Sequence, residues 1–334
     1  MLKSPVVESP VFDLEPSVRR IVGLANRLDR PRANVTMAQR READAGVAKR
    51  LGWVFMPAGP KSGEQRDVLV PVDGGRIRVR LYVPPGAGPL PLHVFLHGGG
   101  WCVGTIGARD RRCRAIAAGA RCIVASVEYR LAPENFYPTA PEDCYAALCW
   151  LVDHAREHSV DRTRIAVGGE SAGGNLAAVV CLMARDRNGP SIAHQWLDVP
   201  ATDLTMSQPS VQNTPDGFLL TYADMVEFRD SYLPDVSLAT EPYASPLHAV
   251  GHGLGLSGLP PARILTCGAD PLRDDGRVYA EALTAAGVPV EHVHLPGHVH
   301  PSFAFTRLVR SAAADERSAI ASLARAFGAA GSKP

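Results

Sequence analysis

A chain of 334 residues, 46% hydrophobic and 21% charged, has enough apolar side chain for a large packed core, which excludes the disordered and fibrous classes. A formal net charge of +1 offers no electrostatic footprint for nucleic acid or an anionic membrane surface. The seven cysteines, at 102, 113, 122, 144, 149, 181 and 267, are odd in number and lack C-x-x-C spacing, so reduced thiols and a cytoplasmic location are the expectation, with Cys181 and Cys267 acting as small buried hydrophobes.

Met1-Leu2-Lys3-Ser4-Pro5 is followed by no apolar run of signal-peptide length, and no stretch is long and apolar enough to span a membrane. Residues 1–60 read as a helix-rich amphipathic arm with helices over 18–28 and 37–51. Strands over 66–72 and 76–83 flank Asp73-Gly74-Gly75, and Asp-Gly supplies positive φ cheaply, so a β-hairpin is expected. A strand over 92–96 runs into His97-Gly98-Gly99-Gly100-Trp101. The arginine-rich stretch 109–114 reads as the solvated first turn of a helix, and 122–127 as the next strand.

The stretch 164–168 reads as a strand entering Gly169-Glu170-Ser171-Ala172-Gly173, and 172–187 as a helix leaving it. Glycines two residues either side of a serine allow a sharp corner that exposes the hydroxyl, the arrangement an α/β-hydrolase uses for its nucleophile. By chance a chain of this composition would show G-x-S-x-G about one time in seven, but H-G-G-G only about one time in a hundred. The second motif therefore carries the weight. It also answers a chemical need, because attack on an ester carbonyl develops negative charge that backbone N–H groups can stabilise. The expected donors are Gly99 and Gly100, with Gly98 as a further candidate, and Ala172, the residue after the serine; His97 would organise the loop by hydrogen bonds.

A further strand is expected over 192–199. Residues 203–243, with Pro209, Pro215, Gly217 and a helix over 222–232, interrupt the strand–helix rhythm and read as a cap insertion. Trp101, Phe218, Leu219 and Phe303 are the expected pocket-lining residues. A strand over 262–268 leads to Asp270, a helix covers 276–286, and a strand over 288–295 leads to a loop offering His298 and His300. Asp274 and Asp275 fall where carboxylates meet a helix dipole and read as capping candidates. His93 and His194 read as hydrogen-bonded structural side chains. His292, His294, His298 and His300 superficially suggest a metal site, but nothing is spaced like H-E-x-x-H, so neither metal nor cofactor is expected.

The set HGGGW, YRLAPE (129–134), GESAGGN (169–175), SPLH (245–248), DPLRDDG (270–276) and G-x-x-H from Gly297 resembles the hormone-sensitive lipase family of esterases, in motif order from about residue 66 to the C-terminus. The resemblance implies an α/β-hydrolase fold, a mostly parallel central sheet flanked by helices with a helical cap: arm 1–60, catalytic domain 61–334, cap insertion at about 203–243. It makes Ser171 the nucleophile, Asp270 the acid and His300 the base, with His298 as the competing base. Two departures stand out. Glu170 occupies a position where the family more often has Asp, and Pro301-Ser302-Phe303 follows His300 where the family commonly has Gly-Phe. The expected activity is hydrolysis of small acyl esters of short to medium chain. A related amide or lactone hydrolase is the alternative, and a non-catalytic receptor on this fold would be expected to lack the nucleophile or base. A homodimer remains open.

Overall fold

The apolar runs that carry no alternation become strands buried on both faces, as a parallel sheet covered by helices requires. The computed structural model describes residues 12–28, 35–60, 63–86, 88–214 and 216–328. Met1 to Pro5 and Pro215 lie outside them. The strands are β1 (Glu64–Val72), β2 (Gly75–Val83), β3 (Leu90–Leu96), β4 (Ile123–Glu128), β5 (Val160–Glu170), β6 (His194–Asp198), β7 (Ala262–Ala269) and β8 (Val290–Val299). They form one sheet in the order β1-β2-β4-β3-β5-β6-β7-β8. The hairpin strand β2 is antiparallel to both β1 and β4, and all other pairings are parallel. Gly74 takes φ +73° in the hairpin turn.

The helices are α1 (Pro16–Leu28), α2 (Met37–Phe55), α3 (Ile106–Ala120), α4 (Thr139–Asp153), α5 (Ala172–Asp186), α6 (Pro209–Asn213), α7 (Tyr222–Tyr232), α8 (Arg273–Ala285) and α9 (Arg310–Ala326). Successive strand residues point to opposite faces, and the two faces are covered by different helices. Phe95, Val124, Ala166 and Trp196 pack with Ile116 and Ala117 of α3 and Leu323 of α9. Val94, Ala125, Val167 and Leu197 pack on the other side with Leu148 of α4, Leu176 of α5 and Leu283 of α8. None of the described helices is long and apolar enough to cross a membrane.

The sequence of the arm produces helices but no core of its own. Thr36 and Gln39 form a reciprocal capping box at the start of α2, a device worth about 1 kcal/mol, yet α2 has no buried side chain. Half-buried Met37 and Phe55 at its two ends pack on the body, Phe55 with its ring 5.6 Å from that of Phe305, and polar contacts hold the rest. Arg40 bonds Asp224 at 2.7 Å and Glu227 at 2.9 Å on α7, and Arg41 bonds Glu134 and the Cys102 carbonyl. On the other side of the arm, the Glu15 amide donates to the Gly297 carbonyl at 2.9 Å.

Three expectations are corrected here. The stretch 109–114 does lie near the start of α3, but Arg112 is fully buried rather than solvated, because α3 presents that face to carboxylates from distant segments. His93 is buried without a hydrogen-bond partner; its ring packs 5.7 Å from Trp196, and burial pushes its pKa down to about 3. Asp274 and Asp275 do sit in the first turn of α8, but each reaches across to another segment. Asp275 accepts from the amides of Thr202 and Asp203 at 2.9 Å, and Asp274 accepts from the Ser210 amide at 3.0 Å. They tie the segment after β6 to α8.

Candidate active site

The chain passes from β5 to α5 through a single residue, Ser171, held at φ +56° and ψ −121°. This is costly backbone for a residue with a Cβ, about 1–3 kcal/mol, and the surroundings impose it. The Ser171 amide donates to the Asp198 carbonyl at 2.8 Å, while α5 packs so closely on β3 that a Cβ at Gly173 would sit 2.1 Å from the Leu96 carbonyl oxygen. Only glycine at 173 permits that approach.

Sheet order brings the other parts to Ser171. β3 has β4 on one side and β5 on the other, so the chain direction of winding reverses there and a crevice opens beyond the carboxyl ends of the strands. Leu96 pairs with Gly169, which places the loop after β3 beside the β5–α5 corner. His97 holds that loop: its Nδ1 lies 3.0 Å from the Gly98 carbonyl, its ring stacks on Tyr129 at 4.4 Å, and Tyr129 donates to the His97 carbonyl at 2.8 Å. Burial pushes His97 down to about 4, so the ring is neutral near pH 7. Gly100 takes φ +57°, and a Cβ there would strike the Phe228 ring. The amides of Gly98, Gly99, Gly100 and Ala172 have no acceptor among the described residues, and all four residues line the same cavity as Ser171.

Beyond β7 lies Asp270, and beyond β8 a short 3₁₀ turn, His300–Ala304, begins with His300. His300 Nε2 stands 2.9 Å from Ser171 Oγ, and Nδ1 stands 2.9 and 3.0 Å from the two carboxylate oxygens of Asp270. Asp270 is fully buried and also accepts from the Leu272 amide at 2.9 Å. The other histidines are engaged elsewhere. His298 Nε2 is 2.9 Å from Ser311 Oγ and 3.3 Å from Glu15, and His292 and His294 both lie 2.9 Å from Thr266 Oγ1. A hydroxyl, an imidazole and a carboxylate in this order can deprotonate the hydroxyl and stabilise the resulting imidazolium, and unpaired amides beside it can donate hydrogen bonds to an oxyanion.

The cavity measures about 220 Å³. Trp101 and Phe303 line it, with Leu204, Met206, Met225 and Phe228. Phe218 and Leu219 do not. Phe218 packs edge-on against Phe12 at 5.3 Å, and both residues join the cluster that holds α1. Leu219 has φ +79°, which turns the chain so that Leu220 faces the cavity instead. Met225, Phe228 and Tyr232 recur at helical spacing within the expected helix 222–232, so their shared face was readable from the 3.6-residue period.

Glu170 keeps a structural bonding role: it is fully buried and paired with Arg109 and Arg112. Burial alone would raise its pKa, but the two guanidinium groups outweigh it and hold the carboxyl below the usual range. The sequence carries no signal for this pairing, because the two arginines lie 61 and 58 positions from Glu170.

A serine on a strand–turn–helix corner at the switch point of a mostly parallel sheet, with histidine and carboxylate supplied by later strands, defines the α/β-hydrolase class. Residues 93–304 match the α/β hydrolase fold family, and the chain belongs to that family, in its hormone-sensitive-lipase-like branch. It is 44% identical to the carboxylesterase NlhH of Mycobacterium tuberculosis over 75% of this chain and 79% of that protein. It is 43% identical to the carboxylic ester hydrolase LipN of the same organism over 77% of this chain and 69% of that protein. Among solved structures, it is similar to an α/β hydrolase enzyme from the metagenome of Lake Arreo, with a TM-score of 0.88 and 36% identity over 95% of this chain and 99% of that one. A thermostable esterase from Pseudomonas putida also superposes with a TM-score of 0.88, at 32% identity over 96% and 99% of the two chains.

Proposed function

We propose that this protein is a serine carboxylesterase that hydrolyses short- to medium-chain acyl esters. The observation that carries the reading is His300, whose two ring nitrogens lie within hydrogen-bond distance of Ser171 Oγ and Asp270 at once. The carboxylesterase names of the relatives support the same chemistry.

In this mechanism Ser171 Oγ attacks the ester carbonyl as His300 Nε2 takes its proton, and the carbonyl oxygen becomes an oxyanion held by the amides of Gly99, Gly100 and Ala172. Collapse of the tetrahedral species breaks the bond to the alcohol, which leaves with the proton from His300. Water then gives a proton to His300 and attacks the acyl-enzyme; a second collapse releases the acid and returns the proton to Ser171 Oγ. Asp270 holds the Nδ1–H tautomer throughout and stabilises the imidazolium. No metal or cofactor takes part.

The cavity of about 220 Å³ is smaller than a drug-sized pocket, which favours a bounded acyl group. Helix α7 and the arm pinned to it by Arg40 form the cap in this reading, and the apolar roof from Met225 and Phe228 keeps bulk water from the acyl-enzyme. The test is covalent labelling with a fluorophosphonate together with nitrophenol release from a series of p-nitrophenyl esters. Labelling at Ser171 and a rate maximum at short or medium chains support the reading. A label only on another residue, or a monotonic rise to long chains, overturns the corresponding part.

A further inference from the structure

Arg112 is among the largest fully buried side chains of the protein, yet it is absent from the cavity lining. Its guanidinium reaches three carboxylates on three different elements. Nη1 donates to Glu170 at 2.8 Å, Nη2 donates to Asp198, and Nε and Nη2 form a fork on Glu316 of α9 at 3.1 and 2.8 Å. Two of these partners bracket the nucleophile. Glu170 is the residue before Ser171, and Asp198 supplies the carbonyl that accepts the Ser171 amide at 2.8 Å. The guanidinium face lies 5.0 Å from the Phe303 ring, and Phe303 shares the 3₁₀ turn that begins with His300.

One side chain thus touches both neighbours of Ser171 and the turn that carries His300, while Glu316 anchors it from outside. A buried ion network often gains little stability over apolar filling of the same volume, so its contribution is to geometry. Lysine could not replace it. Three carboxylates bonded from three different guanidinium nitrogens, with an aromatic ring beside them, call for a flat cation with several fixed donors, and an ammonium is a point charge on a flexible stem.

We propose that Arg112 is a positioning residue for the reaction: through Glu170, Asp198 and the Phe303 ring it sets the separation of Ser171 and His300. The inference rests on the reading of Ser171 as nucleophile and His300 as base.

The experiment compares the full-length wild type with Arg112→Lys and Arg112→Gln at a temperature where each is folded by near-UV circular dichroism. Active sites are counted by complete fluorophosphonate labelling, and turnover of p-nitrophenyl acetate is expressed per labelled site. A merely structural arginine would lower the melting temperature and the number of sites while leaving turnover per site intact. A positioning arginine should lower kcat per labelled site about tenfold or more, with KM within about twofold, since a small misplacement of reacting groups is costly. A fall in kcat beyond about threefold supports the inference; a smaller one, or a change confined to KM, overturns it.

If neither variant folds, Glu316→Gln loosens only the outer anchor while keeping its shape. There a fall in kcat per site beyond about twofold supports the inference, and a smaller change overturns it. Wild-type protein that turns over no ester or is not labelled at Ser171 would instead remove the esterase reading itself.

Discussion

Ser171 Oγ and His300 Nε2 lie 2.9 Å apart although 129 positions separate them in the chain. The contact exists because β5 and β8 end on the same side of one sheet and the turn after β8 folds back over β7 towards β5. Substitutions at either end should therefore act on chemistry before stability.

Ser171→Ala should lower kcat by about a thousandfold or more and leave the melting temperature close to that of the wild type, because among the described residues the hydroxyl forms no hydrogen bond other than the one to His300. Steady-state kinetics and thermal denaturation of the purified variant check both. Retained turnover would remove Ser171 from the mechanism.

The two histidines at the end of β8 and the start of the turn after it should separate cleanly. His300→Ala should collapse kcat, whereas His298→Ala should change it only modestly and cost about 0.5–1.5 kcal/mol of stability, since it removes a part-buried hydrogen bond to Ser311, which keeps its bond to Glu15. Parallel kinetics and urea unfolding of the pair are the measurement. The reverse ranking in kcat would make His298 the base.

Asp275 should leave a mark on the pH dependence of stability. Burial, then the charge of Asp203, pushes its pKa well above the ordinary aspartate value, so the folded protein holds a proton that the unfolded chain releases above that value. Its contribution to stability is fully present below the unfolded pKa and is lost as pH rises towards the folded one. Asp275→Asn needs no such proton. The stability of Asp275→Asn relative to wild type should therefore rise from pH 5 to pH 8, read as the difference in urea midpoints. A difference that stays constant or falls would mean Asp275 is ionised in the folded protein.

Phe228 and Met225 bound the cavity from α7. Phe228→Ala should shift the best substrate towards longer acyl chains, each newly accommodated methylene adding up to about 0.8 kcal/mol of binding. The check is kcat/KM across p-nitrophenyl esters of increasing length. Phe218→Ala should leave the profile unchanged, because its ring packs against Phe12 on α1.

The legible parts were those in which consecutive residues carry the constraint. A serine corner, a glycine loop and a two-residue hairpin turn are set by backbone sterics within a few positions, so G-E-S-A-G, H-G-G-G and Asp73-Gly74 announced themselves. The helix over 222–232 likewise emerged with the expected bounds, because Thr221 caps it at one end and its apolar spacing runs through to Tyr232. The unpatterned apolar runs at 92–96 and 262–268 pointed to the buried strands whose carboxyl ends carry the site.

What only the tertiary structure decided depends on which distant segments meet. His298 and His300 lie two residues apart, and their different surroundings come from the turn after β8, which aims one at Glu15 and the other at Ser171. Phe218 and Leu219 fell to the arm, and Leu220 to the cavity, through one positive φ. Arg112 looked like any arginine in a basic helix turn. Its burial follows from carboxylates contributed by β5, β6 and α9, and a favourable ion pair between such segments leaves no periodic or local trace, because Coulomb attraction depends on distance in space and not on separation along the chain.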